Sequence, residues 1–173
     1  IRTSDEYTNN FTDYYVLHDA TKPSNTRIVP CSTKPGLYGL GAIMNPFKNG
    51  TRKKGTAVIV EGQYLDTWSL HGNLSYSWWS GLPFLYQEKD LPIYRDGNRD
   101  MKINGSTEIA ARAGLNHHSW TGYKEWWQVN NLSTGCQVMS ANALRVVYPC
   151  WKVLADGNNN LVSYTLINSR DLT

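Results

Sequence analysis

The sequence is poor in charge, in cysteine and in phenylalanine, and it holds no long apolar run. Only 18% of its 173 residues are charged, and the net charge is +3. So small an excess gives no strong nucleic-acid field, and self-repulsion does not drive the chain into disorder. No apolar stretch approaches the roughly 20 residues of a membrane-spanning helix, and Ile1–Asn10 is too polar for a secretion signal. Phosphate-cradling loops, dinucleotide fingerprints and nucleophile elbows are missing. No internal period marks a propeller or solenoid, and no recurring Gln-x-Trp triplet marks a trefoil. What is left is a soluble chain of one-domain size, long enough to bury a core without a metal or disulfide staple. It reads as an arm over 1–13 followed by a single domain over 14–173.

The three cysteines, Cys31, Cys136 and Cys150, cannot all pair within one chain. Either Cys136 and Cys150 join and leave Cys31 over, or all three are reduced and serve as small buried hydrophobes, which is the preferred reading. Sequons at Asn10, Asn49, Asn73, Asn104 and Asn131 point instead toward secretion.

Seven Trp and eleven Tyr stand against three Phe. Rings with a polar handle concentrate where one side is apolar and the other wet. Turn signals recur at intervals of roughly ten residues, with strand-type runs between them. The best strands are Tyr14–His18, Gly36–Ile43, Thr56–Glu61, Tyr64–Leu70, Leu74–Trp79, Tyr123–Val129, Ala143–Tyr148 and Leu161–Ile167. A hairpin is expected across Asp96-Gly97 and a second between Trp151–Ala155 and Leu161–Ile167. Ser106–Ala113 has helical propensity and is expected to be a short helix or a strand. The expected fold is all-β: an antiparallel β-sandwich with at most one or two short helices.

The candidate site is the segment Asn116–Trp127, which packs three Trp, one Tyr and two His between the turn glycines Gly114 and Gly122 and beyond. Trp78 and Trp79 form a second aromatic knot. Adjacent strand residues point to opposite faces, so one ring of each Trp pair is expected to face outward. An outward ring covers the C–H face of a pyranose, while planar polar groups bond its hydroxyls. The expected ligand-binding residues are therefore Trp78, Trp79, Arg112, Asn116, His117, His118, Trp120, Tyr123 and Lys124. His117 and His118 diverge on a strand, and no cysteine or aspartate follows at ligand spacing, so no metal and no cofactor is expected. Lys34 and Arg52–Lys54 are expected to form a small basic cluster on a solvated turn, which could also attract an acidic sugar, a sulfated glycan or an anionic lipid.

Tyr14–Leu17, and Val58–Gly62 followed by Trp68, resemble segments of the cleaved spike-head domain of rotaviruses. That resemblance implies a galectin-like sandwich that binds cell-surface glycans without catalysis, at the virion surface or outside cells, within a larger oligomeric spike. The runner-up is a module that binds a protein or glycoprotein receptor, since aromatic hot spots serve both. Tyr76–Trp79 is similar to the membrane-docking region of actinoporin-like pore formers, but Ile1–Asn10 lacks their amphipathic stripe, so no membrane insertion is expected. Ser69–Gly72 and His118–Trp120 resemble the histidine segments of T2-type ribonucleases, from which Leu74, Ser75 and Ser119 depart.

Overall fold

The computed structural model describes residues 1–5, 9–18, 20–36, 55–72, 82–96, 102–103, 107–111, 114–119, 128–130 and 132–172. Its strands are β1 (Asp13–Leu17), β2 (Arg27–Ser32), β3 (Ala57–Ile59), β4 (Gly62–His71), β5 (Phe84–Gln87), β6 (Leu91–Arg95), β7 (Thr107–Ala110), β8 (His117–His118), β9 (Gln137–Met139) and β10 (Leu161–Leu166). Among the described residues there is one α-helix, α1 (Ala141–Asp156), which joins β9 to β10. The fold is all-β and sandwich-like. A seven-stranded sheet runs β1-β2-β9-β8-β5-β4-β10, and a three-stranded sheet runs β3-β6-β7. Pairing is antiparallel except between β8 and β9, which run parallel with His117 opposite Gln137 and His118 opposite Val138. Tyr15, Val29, Trp68, Leu85 and Val162 of the large sheet share one core with Ile59, Leu91 and Ile93 of the small sheet. Leu144, Val147 and Trp151 of α1 enter the same core.

One expected strand is corrected, and one element left open is decided. The stretch Ala143–Tyr148 is helix, not strand. Val146, Val147 and Tyr148 favour strand locally, but Leu144, Val147, Trp151 and Ala155 are buried at helical spacing. That spacing gives the helix a continuous apolar face, and tertiary packing outweighs propensity. Ser140 caps it, its hydroxyl accepting the Ala143 N–H at 3.2 Å. Trp151–Ala155 therefore lies in α1 rather than in a hairpin arm. Conversely, Ser106–Ala113 contains β7, whose Ala110 pairs with Leu91 and whose Thr107 pairs with Tyr94. The partner of β6 is thus β7, not a strand folding back tightly at Asp96-Gly97. Expected strands at Gly36–Ile43, Leu74–Trp79 and Tyr123–Val129 fall largely or wholly outside the described residues.

The first residues lie along the domain. The Arg2 N–H donates to Ile167 O at 2.8 Å, and Ser169 N–H donates back to Arg2 O at 2.7 Å. Arg2 is fully buried: its guanidinium pairs with Glu61, donates to Ile59 O at 2.8 Å and donates to Thr33 Oγ1 at 3.1 Å. All three cysteines are free thiols, with Cys31 buried and Cys136 and Cys150 partly so.

Candidate functional site

His117 and His118 occupy the short strand β8, deep in the large sheet between β5 and β9. They diverge, as strand geometry requires. His117 is fully buried, which corrects its expected role as a ligand-facing residue. It stands edge-on to Trp68 at 4.7 Å and to Tyr164 at 4.6 Å between ring centroids. The Trp151 indole N–H donates to Tyr15 Oη at 3.1 Å, and the Tyr15 hydroxyl meets His117 Nδ1 at 3.1 Å. With its hydroxyl oxygen already accepting from Trp151, Tyr15 donates to Nδ1 and leaves the ring proton on Nε2. Burial, and then the neighbouring His118, push the His117 pKa down to about 3. The imidazole therefore stays neutral across the physiological range.

A pH dependence follows. An unfolded histidine titrates near 6.5 and takes up a proton that the folded chain refuses. The stabilisation is complete above about pH 6.5 and declines by about 1.4 kcal/mol per pH unit as pH falls toward 3. Urea unfolding of the wild type and His117→Gln between pH 7 and 4 isolates this term. The stability difference between the two should shrink steadily with acidification; a difference that stays flat would mean the imidazole is charged or solvated in the folded state.

His118 faces the other side, where it is partly buried and Cys136 is its electrostatic neighbour. The parallel pairing brings them together, because Cys136 immediately precedes β9 while His118 ends β8. His118 Nδ1 lies 3.3 Å from Ser119 O. The Cys136 thiol also has Gly114 O within 3.3 Å as an acceptor. Burial raises the Cys136 pKa, but the neighbouring His118 reverses that and holds it below an ordinary thiol. Burial likewise lowers His118, and the neighbouring Cys136, together with Ser119 O, carries it above an ordinary imidazole. Each group thus shifts the other toward its charged form.

The turn before the cysteine is closely fitted. Ser133 Oγ accepts the Gly135 N–H at 3.0 Å and donates to Cys136 O at 2.8 Å. Gly135 has φ +151°, and a Cβ there would fall 2.6 Å from Leu115 Cδ2 and 2.8 Å from Ala57 O. Only glycine fits so close to both neighbours. Cys136 itself packs beside Val129, Leu132, Val138 and Phe11.

Of the expected site residues, Trp78, Trp79, Arg112, Trp120, Tyr123 and Lys124 lie outside the described residues. Asn116 is committed to its neighbours, its N–H donating to Gly114 O at 3.1 Å and its Oδ1 accepting the Gln87 N–H at 3.0 Å, while His118 lies beside Cys136. The segment beginning at Asn116 is thus sheet interior over its described part, not a loop edge. Cys136 was not foreseen as a functional residue. A cysteine preceded by a serine-and-glycine turn, with a distant histidine in the chain, was the available signal.

Comparison with family models, curated proteins and solved structures returns no match. Among the described residues, no group of three or more His, Cys, Asp or Glu could hold a metal ion, and no helix is long and apolar enough to cross a membrane.

Proposed function

We propose that the chain is a cysteine-dependent acyl-transfer enzyme, with Cys136 as nucleophile and His118 as its acid–base partner. The observation that carries this reading is the placement of His118 and Cys136 on one face of the parallel β8–β9 pair, both partly buried, with each group shifted toward its charged form by the other. The thiolate would attack the carbonyl carbon of an amide or ester and form an S–C bond. Collapse breaks the C–N or C–O bond, and His118 gives its proton to the leaving group. Water or an amine then attacks the thioester, His118 takes the incoming proton, and the thiolate is restored.

Limited iodoacetamide labelling at pH 6.5, mapped by peptide mass, tests the pair without knowledge of the substrate. Cys136 should label first. Cys31 should resist, since it is 1% exposed and burial pushes its thiol well up. Equal or slower labelling of Cys136 than of Cys150 would remove the basis for the proposal.

A second reading, recognition of cell-surface glycans by a spike-type head, is favoured by a different surface. His71 stacks on Phe84 at 5.5 Å and meets Tyr86 edge-on at 5.7 Å, on the outer part of β4 and β5. Ser69 Oγ donates to Glu88 Oε1 at 2.6 Å and lies 2.8 Å from His71 Nε2. Rings beside fixed polar groups suit a sugar. A glycan array probed with a multivalent form tests this reading, since single sites would be weak; a silent array would set it aside.

A further inference from the structure

The core holds polar groups among its rings, and two of them stand side by side. His117 on β8 and Gln137 on β9 are direct partners in the parallel register, and both side chains are fully buried. The His117 ring lies edge-on to Tyr164 at 4.6 Å between centroids, and the Tyr164 hydroxyl donates to Gln137 Oε1 at 3.4 Å. Paired residues of adjacent strands project from the same side of a sheet. The imidazole and the amide therefore meet the same tyrosine as neighbours.

Trp151 Nε1 donates to Tyr15 Oη, and Tyr15 donates on to His117 Nδ1, each at 3.1 Å. The chain of bonds stops there. His117 Nε2 and Gln137 Nε2 are buried and have no hydrogen-bond partner among the described residues. Both nitrogens carry protons, because Nδ1 is the imidazole's acceptor and an amide nitrogen only donates. A buried donor left unpaired is costly, and two on directly paired residues call for one acceptor shared by both.

That acceptor is neutral. Tyr15, Trp151, Gln137 and Tyr164 carry no charge near pH 7, and burial keeps the imidazole uncharged, its pKa pushed down to about 3. The buried Arg2, whose charge reaches Tyr164, is already paired with Glu61. An anion enclosed here would have no counter-charge. Water meets the requirement. Its oxygen accepts both N–H bonds, and Tyr164 Oη keeps a lone pair for one of its protons.

We propose that one buried water bridges His117 Nε2 and Gln137 Nε2. It completes a hydrogen-bond chain from Trp151 on α1 through Tyr15, His117 and Gln137 to Tyr164 on β10. The chain ties the helix to four strands of the large sheet. It also specifies the register of the parallel pair, because a slip of one residue sets the apolar Val138 against His117 and breaks the chain. The water site owes nothing to Cys136 or His118.

Solution NMR with isotope-labelled histidine nitrogens tests the site. His117 should be the Nε2–H tautomer, and that proton should show a direct rotating-frame Overhauser contact to a long-lived water. Magnetic relaxation dispersion of the water oxygen should then count one long-lived water fewer in Gln137→Met, which keeps the side chain's length and removes its amide. A proton on Nδ1 instead of Nε2 overturns the proposal, as does an Nε2 proton with no contact to water. A scalar coupling between His117 Nε2 and the Gln137 amide carbon also overturns it, since the amide would then accept directly from the imidazole. An unchanged water count in folded Gln137→Met has the same force. Should Gln137→Met fail to fold, the wild-type tautomer, water contact and coupling decide alone.

Discussion

Alanine at Cys136 is expected to abolish the burst of 4-nitrophenol released from 4-nitrophenyl acetate, together with the acetyl adduct seen by intact mass. No other thiol can replace it. Cys31 is buried and its pKa is pushed up, and Cys150 lies on α1 with its thiol 3.9 Å from Val146 O. Alanine at His118 should leave the sulfur in place but cut the acylation rate by on the order of 10²–10⁴-fold, the usual worth of a positioned general base. The two variants differ in a way that identifies the roles. Without His118, burial is the largest remaining influence on the thiol, and it raises the pKa. The residual rate of His118→Ala should therefore climb with pH beyond the ordinary thiol range, whereas Cys136→Ala should stay inert at every pH. In the wild type the sign runs the other way: the lowered thiol pKa makes the rate reach its plateau early. Cys150→Ala should behave as wild type. A burst that survives in Cys136→Ala would end the proposal. A His118→Ala profile identical to wild type would remove His118 from it.

The strands that sequence reasoning located were those with local alternation and a closing turn. β4 and β10 are examples: Tyr64–Leu70 and Leu161–Ile167 carry their own pattern, and the structure pairs them antiparallel. β8 and β9 were not legible, because they have two and three residues and exist through pairing with distant partners. Propensity also misled at both ends of the scale. A valine-rich stretch became helix because its burial repeats at helical spacing, and an alanine-rich one became strand because it docks on β6. The site suffered for the same reason. His117 and His118 were rightly expected to diverge, yet which face was the core depended on β8 lying inside the sheet. The proximity of Cys136 to His118 is a product of the parallel register, which no local pattern announces. A histidine pair beside many rings looks like a sugar platform until one imidazole is found among Trp68, Tyr164 and Tyr15.

Replacing Asp13 with alanine should cost about 3–5 kcal/mol, the penalty for stranding a buried charge. Asp13 is fully buried, and its carboxylate accepts the Thr3 N–H at 2.9 Å, the Thr33 N–H at 2.8 Å and the Thr33 hydroxyl at 2.8 Å. Lys34 Nζ lies 3.2 Å away and is 1% exposed. Once the carboxylate is gone, the Lys34 ammonium keeps only Ser4 O, at 2.9 Å, among its described bonds. The carboxylate's own pKa reports the balance: burial raises it, and Lys34 with the Thr3 and Thr33 donors carries it below the ordinary aspartate value. Because the folded pKa is depressed, this stabilisation is present above the unfolded value of about 3.9 and is lost as pH falls below it. For a chain of this size the loss corresponds to a melting temperature lower by roughly 10 °C. Asp13→Asn should recover part of it, since an amide oxygen can still accept from Thr33. The double variant Asp13→Ala, Lys34→Met should be more stable than Asp13→Ala alone, because the second change removes the stranded charge. Urea unfolding of the three variants at pH 7 decides the matter. A cost below about 1 kcal/mol for Asp13→Ala, or a double variant no better than the single, would show that water reaches Lys34 and that the pair is worth no more than a surface ion pair.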